Sequence, residues 1–286
     1  MPELVLTSWN IQWGRGVDGR VDLDRIVQTL MAPGAPGVVL LQEVADGFAD
    51  LAGHDGSDQF EGLRQRLAGY TVVEGVATDL PGTAGRRQRF GNLLAARLPV
   101  GQAWRHLLPW PAEDGVASMQ RVAVEATLQA PFGPLRVTTT HLEYYAPRQR
   151  RAQAQRLREL HREAVQQSRC DRRPAEGAFA LSPRAASAVL CGDFNCGADS
   201  DELALLLQPF DDGTARYCDA WPHLHPGRPH APTLGLYDHA QWPQGPQCFD
   251  FFLVSEDLLP RLIAIEVDAQ TQHSDHQPVR LRLDAA

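Results

Sequence analysis

Val189-Leu190-Cys191-Gly192-Asp193-Phe194-Asn195 is the stretch on which the reading of this chain turns. An apolar run ends in a glycine, followed by an aspartate and an asparagine two residues apart. Side chains two apart on a strand share a face. Asp193 and Asn195 would therefore project together from the end of a buried strand, with Phe194 turned into the core. A carboxylate beside an amide can orient a water and hold an anionic oxygen, and phosphate-ester hydrolysis needs both. The same residues also fit a strand ending in an Asp-containing turn, and the stretch alone leaves both readings open.

The surrounding chain sets bounds. Its 286 residues are 43% hydrophobic and 22% charged, ample for a large core, and they read as one domain spanning residues 1–286. The net charge of -8 argues against a non-specific DNA binder, whose surface is normally basic, though not against a nuclease with a local basic groove. All 27 basic residues are arginine, which a GC-rich coding bias accounts for. Five cysteines with no CxxC pair suggest free thiols in a reducing cytoplasm. Met1-Pro2-Glu3-Leu4-Val5-Leu6 enters a strand pattern at once, without a signal peptide, and no run approaches a membrane span. A cytoplasmic protein is the expectation.

Outward from the opening stretch, other apolar strands also end in polar residues. Leu4 to Ile11 carries Asn10, and Val38 to Val44 carries Glu43, whose burial is costly unless it is paired or binds a cation. Leu135 to Leu142 carries His141, and Phe249 to Ser255 carries Asp250. Asp275 and His276 sit in the tight loop before the final strand, Val279 to Leu283. Helices are expected at Asp22 to Met31, Gln59 to Leu67, Pro147 to Gln167 and Asp201 to Leu207. Asp79 to Phe90 reads as a polar loop, residues 168–186 as a flexible surface insertion, and Pro209 to Gln247 as a long functional loop. His223 and His225 in that loop match no zinc spacing. Four carboxylates packed together raise one another's pKa unless a cation joins them. Oxygen donors select Mg²⁺ or Mn²⁺ over zinc.

Ser8-Trp9-Asn10, Leu41-Gln42-Glu43, Gly91-Asn92, Thr140-His141-Leu142, Gly192-Asp193-Phe194-Asn195, Phe249-Asp250 through Ser255, and Ser274-Asp275-His276 stand in this order along the chain. In that order they resemble the endonuclease/exonuclease/phosphatase superfamily. It includes exonuclease III-type and DNase I-type nucleases, inositol polyphosphate 5-phosphatases and neutral sphingomyelinases. The resemblance covers nearly the whole chain. It implies a DNase I-like α/β fold, a four-layer α/β/β/α sandwich of two packed mixed sheets with outer helices.

The resemblance also implies roles. Glu43 would be the main Mg²⁺ ligand, with Asn10 and Asp275 close to the metal. Asp193 would activate the water, and Asn195 would place it and hold a phosphate oxygen. His276 would contact the phosphate, Asp250 would fix its ring, and His141 would stabilise the leaving or a non-bridging oxygen. Arg86, Arg89, Asn92 and Arg148 are candidates for substrate binding, with Arg87 beside them. Phe249 stands where many members carry an arginine, which leaves the support of Asp250 in question. The expected activity is a metal-dependent phosphoesterase acting on a small phosphorylated molecule, a lipid head group or a nucleic acid, with no protein partner required. The alternatives are an endo- or exonuclease, or a binding domain that kept the fold without the chemistry. Whether the arginines line one groove beside Glu43 separates the substrate classes.

Overall fold

Two β–α–β units lie at the centre of the molecule and set everything else. The computed structural model describes residues 3–171, 173–180 and 184–286. In chain order the elements are β1 (Glu3–Asn10), α1 (Leu23–Met31), β2 (Val38–Asp46), α2 (Gln59–Arg66), β3 (Thr71–Pro81), β4 (Arg87–Ala96), β5 (Val100–Leu107), β6 (Val122–Ala130) and β7 (Gly133–His141). Then follow α3 (Pro147–Arg169), β8 (Ala188–Asp193), α4 (Asp201–Leu207), β9 (Tyr217–Asp219), α5 (Ala220–Leu224), β10 (Asp250–Ser255), β11 (Leu262–Val267) and β12 (Val279–Asp284).

One six-stranded sheet has the order β11-β12-β1-β2-β4-β3, the other β5-β6-β7-β8-β10-β9. Each is mixed, with a single parallel pair among its ladders: β1 with β2, and β7 with β8. The crossovers between parallel strands carry α1 and α3, as parallel pairing requires. Asp22 caps α1 by accepting from the backbone N–H groups of Asp24 and Arg25, and Pro147 opens α3, where a missing N–H costs nothing.

Three apolar layers hold these elements. Leu6, Leu40 and Leu94 of one sheet meet Val124, Val137, Val189 and Phe252 of the other, filling the space between the sheets. Trp9, Ile11, Leu41 and Leu93 pack outward on Ile26, Leu30, Phe60 and Leu63 of α1 and α2. Leu190, Phe194 and Phe251 pack outward on Ala154, Leu157 and Leu160 of α3. The result is the four-layer α/β/β/α sandwich, and Phe194 does turn into a core. A polar bond also crosses between the sheets here: Gln42 Nε2 donates to Thr139 Oγ1 at 2.8 Å.

Some local expectations change. Asp79 to Phe90 is not a loop. It is the end of β3 and the start of β4, a hairpin closed by a tight turn at Thr83–Gly85. The edge strand β5 announces itself by no clear alternation, because much of it is solvent-facing. In the segment 168–186, α3 continues to Arg169, and the described residues 169–180 are exposed. Its far end is pinned, since Arg184 is buried on Glu125. Residues 172 and 181–183 of that segment, and Met1 and Pro2, lie outside the described residues. No described helix is long and apolar enough to cross a membrane.

That pinning is a buried charge network. Glu125 accepts from Arg184 at 2.7 and 2.9 Å, with Arg136 Nη1 at 3.6 Å and His106 Nε2 at 3.5 Å. Burial pushes Glu125 up, but His106, Arg136 and Arg184 outweigh it and hold the carboxyl at about 2. Glu125→Gln would leave two buried guanidiniums short of their partner and is expected to destabilise the fold by about 3–5 kcal/mol in chemical denaturation. Because the folded pKa lies below the ordinary 4.5, the stabilisation is present above about pH 4.5 and is lost as pH falls toward about 2. A loss under 1 kcal/mol would remove the network as a structural anchor.

Candidate active site

Both parallel pairs end at the same edge of the sandwich. Asn10 ends β1 and Glu43 lies near the end of β2, while His141 ends β7 and Asp193 ends β8. Their antiparallel neighbours enter at that edge: Asp250, cross-strand from Asp193, opens β10, and Asp275 and His276 precede β12. The fold thus brings together these seven residues, with Asn195 just beyond β8 as an eighth.

Backbone strain does part of the positioning. The described non-glycine residues with positive φ are Gln12, Trp13, Glu43 and Asn195, and all four lie at or beside this edge. Such conformations cost of order 1–3 kcal/mol each and cluster at functional sites. Glu43, at φ 60°, sits where the β2–β4 register slips between Leu41 and Val44, a bulge that re-aims its carboxylate. Asn195, at φ 51°, lies past the end of β8, so strand alternation is not what pairs it with Asp193. Instead Asp193 Oδ1 accepts the Asn195 N–H at 2.9 Å, and Asn195 Nδ2 donates to the Leu142 carbonyl at 2.8 Å. Gly192 makes the approach feasible: at its φ of 136°, a Cβ would lie 1.9 Å from the Thr140 oxygen.

A run of polar contacts crosses the cleft floor. Asp250 Oδ2 lies 2.9 Å from His276 Nδ1, and His276 Nε2 lies 3.7 Å from Asp193 Oδ2. Asn10 Nδ2 donates to Asp193 Oδ2 at 2.9 Å and to Glu43 Oε1 at 3.1 Å. His141 Nε2 stands 3.5 Å from Asp193 Oδ2 and 3.9 Å from Glu43 Oε1. The segment from Pro209 to Gln247 is not all loop, since it carries β9 and α5, and its later part braces the acids from behind. Thr233 Oγ1 donates to Asp250 Oδ2 at 2.6 Å, supplying the support that Phe249 cannot. Gln241 Nε2 and Trp242 Nε1 donate to Asp275 Oδ2 at 2.8 and 3.2 Å. His225, by contrast, spends its ring on the Ile265 carbonyl.

Charge follows from this packing. Burial and then Asp275 push Glu43 up to about 7. Burial likewise lifts Asp193 to about 6, with His276 and Asn10 opposing and Asp250 adding to the rise. Burial alone would lower His276, but Asp250, Asp193 and Asp275 outweigh it and keep the ring protonated well above the ordinary histidine value. Burial, helped by Arg121 and His276, holds His141 well below that value and therefore neutral. Ligand atoms of Asp193, Asp250 and His276 all lie within 4.8 Å of one another, a group that could hold a metal ion. Its imidazolium already answers both carboxylates, so the unrelieved negative charge lies on the Glu43 and Asp275 side.

The cleft has a volume of about 290 Å³. Glu43, His141, Asp193, Asn195, Asp275 and His276 line it, together with residues the sequence reading passed over: Trp13, Arg121, Tyr144, Tyr145, Gln241 and Trp242. The basic cluster is elsewhere. Arg86 and Arg89 bind Asp46, Arg89 also binds Asp58, and Arg87 binds Asp79. Arg148 is exposed, with Nη1 at 3.5 Å from the Ala112 carbonyl. Asn92 is buried with Nδ2 on the Val122 carbonyl. None of these five is part of the cleft wall. Arg121 is the arginine that is, and it opens an alternating strand next to the His141 strand, the one signal that could have found it.

Comparison with known proteins bears on the family and the fold. The profile described as the Endonuclease/Exonuclease/phosphatase family matches residues 7–276. No curated protein sequence matches. Among solved structures, an endonuclease/exonuclease/phosphatase from Beutenbergia cavernae DSM 12333 superposes with a TM-score of 0.69 at 23% identity, covering 100% of this chain and 72% of that one. The mannosyl-6-phosphatase Bt3783 of Bacteroides thetaiotaomicron VPI-5482 gives 0.66 at 16% identity, over 97% and 98% of the two chains. The 3' phosphatase NExo from Neisseria, bound to product DNA hairpin, gives 0.61 at 17% identity, over 98% and 99%. At these identities the likeness speaks for the fold, which is DNase I-like. With the profile running from β1 to the loop before β12, the chain belongs to the endonuclease/exonuclease/phosphatase family, a family of phosphoester hydrolases.

Proposed function

We propose that this protein is a divalent-cation-dependent phosphoesterase that hydrolyses a phosphodiester or phosphomonoester by in-line attack of water. The observation that carries the reading is the run of contacts from Asp250 through His276, Asp193 and Asn10 to Glu43 along one cleft floor. Asp193 takes the proton of the attacking water. A carboxylate at about 6 is well matched to that task near neutral pH. Asn195 holds the water and a phosphate oxygen in place. The His276 imidazolium meets the charge on the non-bridging oxygens, and Asp250 and Thr233 position its ring. Neutral His141 faces the leaving or a non-bridging oxygen, with Arg121 adding positive charge on its side.

The donor set fits a hard cation. Glu43 and Asp275 are oxygen donors, burial and then the neighbouring Asp275 raise Glu43, and Mg²⁺ or Mn²⁺ would be held by these two with Asn10 alongside. When bound, the cation supplies charge neutralisation to the phosphoryl group. A polyanionic strand would need a cationic track. With Arg86, Arg87 and Arg89 committed to Asp46, Asp58 and Asp79, the smaller substrate is favoured over nucleic acid. The non-catalytic alternative has no support in a lost residue, since every expected polar position is occupied.

Hydrolysis of a generic bis-aryl phosphodiester is expected to require Mg²⁺ or Mn²⁺, to stop with EDTA, and to fall by roughly a hundredfold or more in Glu43→Ala. Equal, metal-independent rates in wild type, Glu43→Ala and Asp193→Ala would end the enzymatic reading. Thermal unfolding gives a second check. Glu43 and Asp193 have folded pKa values above their unfolded ones, so without metal the fold loses stability as pH rises through about 4 to 7. Mg²⁺ is therefore expected to raise the melting temperature on the order of 5 °C above about pH 7 and by much less below about pH 5.

A further inference from the structure

We infer that the cleft takes a small molecule carrying a single phosphoryl group on an uncharged ring, with the ring lying against an aromatic wall beside His276. The inference rests on the phosphoesterase reading and narrows its substrate.

Three observations carry it. The first is the wall. Trp13, Phe90, Tyr144, Tyr145 and Trp242 line the same cleft as Asp193 and His276. The wall begins at the reacting centre: Trp242 lies edge-on to His276 with ring centroids 6.1 Å apart, and edge-on to Tyr144 at 6.0 Å. Trp242 is held there, since its indole N–H is bonded to Asp275. The second is exposure. Tyr144 and Tyr145, edge-to-face at 4.8 Å, are 40% and 66% exposed, large amphipathic faces left open at the mouth of a buried polar site. Flat rings stack on such faces, and the Tyr side chain orders at low entropic cost.

The third observation is charge. Among the described residues lining the cleft, the one arginine is Arg121, nearly buried and bonded to Glu143 at 3.2 Å. Arg121 stands at the phosphoryl end with His276, and among the described residues lining the cleft no second arginine stands along the aromatic wall for a further phosphate. The rest of the lining charge is acidic, and the whole protein carries -8. A chain of phosphates or a polyphosphorylated ring would meet repulsion there, whereas an uncharged ring would not. The volume of about 290 Å³ lies at the small end of ligand sites, room for one ring and its phosphate. A sugar and an aryl group both present such a ring face to an aromatic wall.

Calorimetric titration in Mg²⁺ buffer tests this without relying on turnover. The probes are methylphosphonate, phenylphosphonate, a hexose bearing a phosphonate at its primary carbon, and a short single-stranded oligonucleotide at low and physiological salt. At least one ring ligand is expected to bind about tenfold tighter than methylphosphonate, and the one that does identifies the ring as sugar or aryl. The preference is expected to survive Tyr145→Phe and to be largely lost in a Tyr144→Ala/Tyr145→Ala double variant. Equal binding of methylphosphonate and both ring ligands overturns the inference and leaves the phosphoesterase reading standing. So does a ring preference that persists in the double variant. So does an oligonucleotide that binds tightest with an affinity falling steeply with salt, the signature of contacts to many phosphates. Failure of every probe to bind overturns the phosphoesterase reading and this inference with it.

Discussion

Asp193→Asn is expected to lower kcat by roughly 10²- to 10⁴-fold while leaving the protein folded, because the substitution removes the proton acceptor and, with it, one of the charges that hold His276 protonated. The carboxylate is 1% exposed and fixed on both sides, by the Asn195 N–H on Oδ1 and by Asn10 Nδ2 on Oδ2. Asn keeps the volume and can still accept the Asn195 N–H on Oδ1, but its Nδ2 then meets Asn10 Nδ2 donor to donor, and that one bond is lost. The amide cannot take a proton from water. Removing a buried charge already lifted to about 6 also relieves desolvation, so the melting temperature of the metal-free variant is not expected to fall. Steady-state rates and a thermal melt on one preparation decide the matter. A rate within a factor of ten of wild type would mean that another group takes the proton.

Asp250→Asn has the second-largest expected effect, and it acts through His276. Asp250 faces Nδ1 at 2.9 Å and is the largest of the neighbouring charges that keep the buried ring protonated. With an amide there, only Asp193 and Asp275 oppose burial, and the imidazolium gives up its proton at lower pH. The loss of one aimed positive charge in a water-poor site is expected to cut kcat by roughly 10²- to 10³-fold near neutrality. A pH profile separates this from simple damage. The folded imidazolium is now present only at lower pH, so the alkaline limb of the rate profile moves downward and the deficit is smaller in mild acid than in mild base. A uniform loss at every pH would make Asp250 a packing residue and nothing more.

The parts of this molecule that were legible from sequence share one physical property. Buried strands are runs of apolar residues, so a polar residue at the end of one stands out locally. Asn10, Glu43, His141, Asp193 and Asp250 could be picked one at a time for that reason. Their meeting depends on two parallel strand pairs ending at the same edge, which family resemblance implied and local pattern could not. The arginine cluster misled because, apart from Asp79 beside Arg87, its counter-charges are distant in sequence. Asp46 and Asp58 lie 31 to 43 residues from Arg89, with nothing in the cluster itself to announce them. The aromatic wall was hidden for the opposite reason. Trp13, Phe90, the Tyr144-Tyr145 pair and Trp242 come from four separate segments with no shared periodicity. The left-handed turn at Asn195 escaped because alternation is the default reading for residues two apart. There the local bond from the Asn195 N–H to Asp193 overrode it.

The contact from Gln42 to Thr139 has a consequence for the chemistry. Half of the cleft floor belongs to one sheet and half to the other, so no single sheet fixes the gap that a phosphate must bridge. That gap is the thickness of the apolar layer between the sheets, and Gln42 adjoins Glu43 at the layer's outer rim. Substitutions such as Leu40 or Val189 to smaller residues, far from any substrate, would alter the gap by fractions of an ångström. Misplacement of about 1 Å can cost a hundredfold in rate. Turnover in this protein would thus be a ruler laid across its own interior, reporting the spacing of the two sheets alongside their stability.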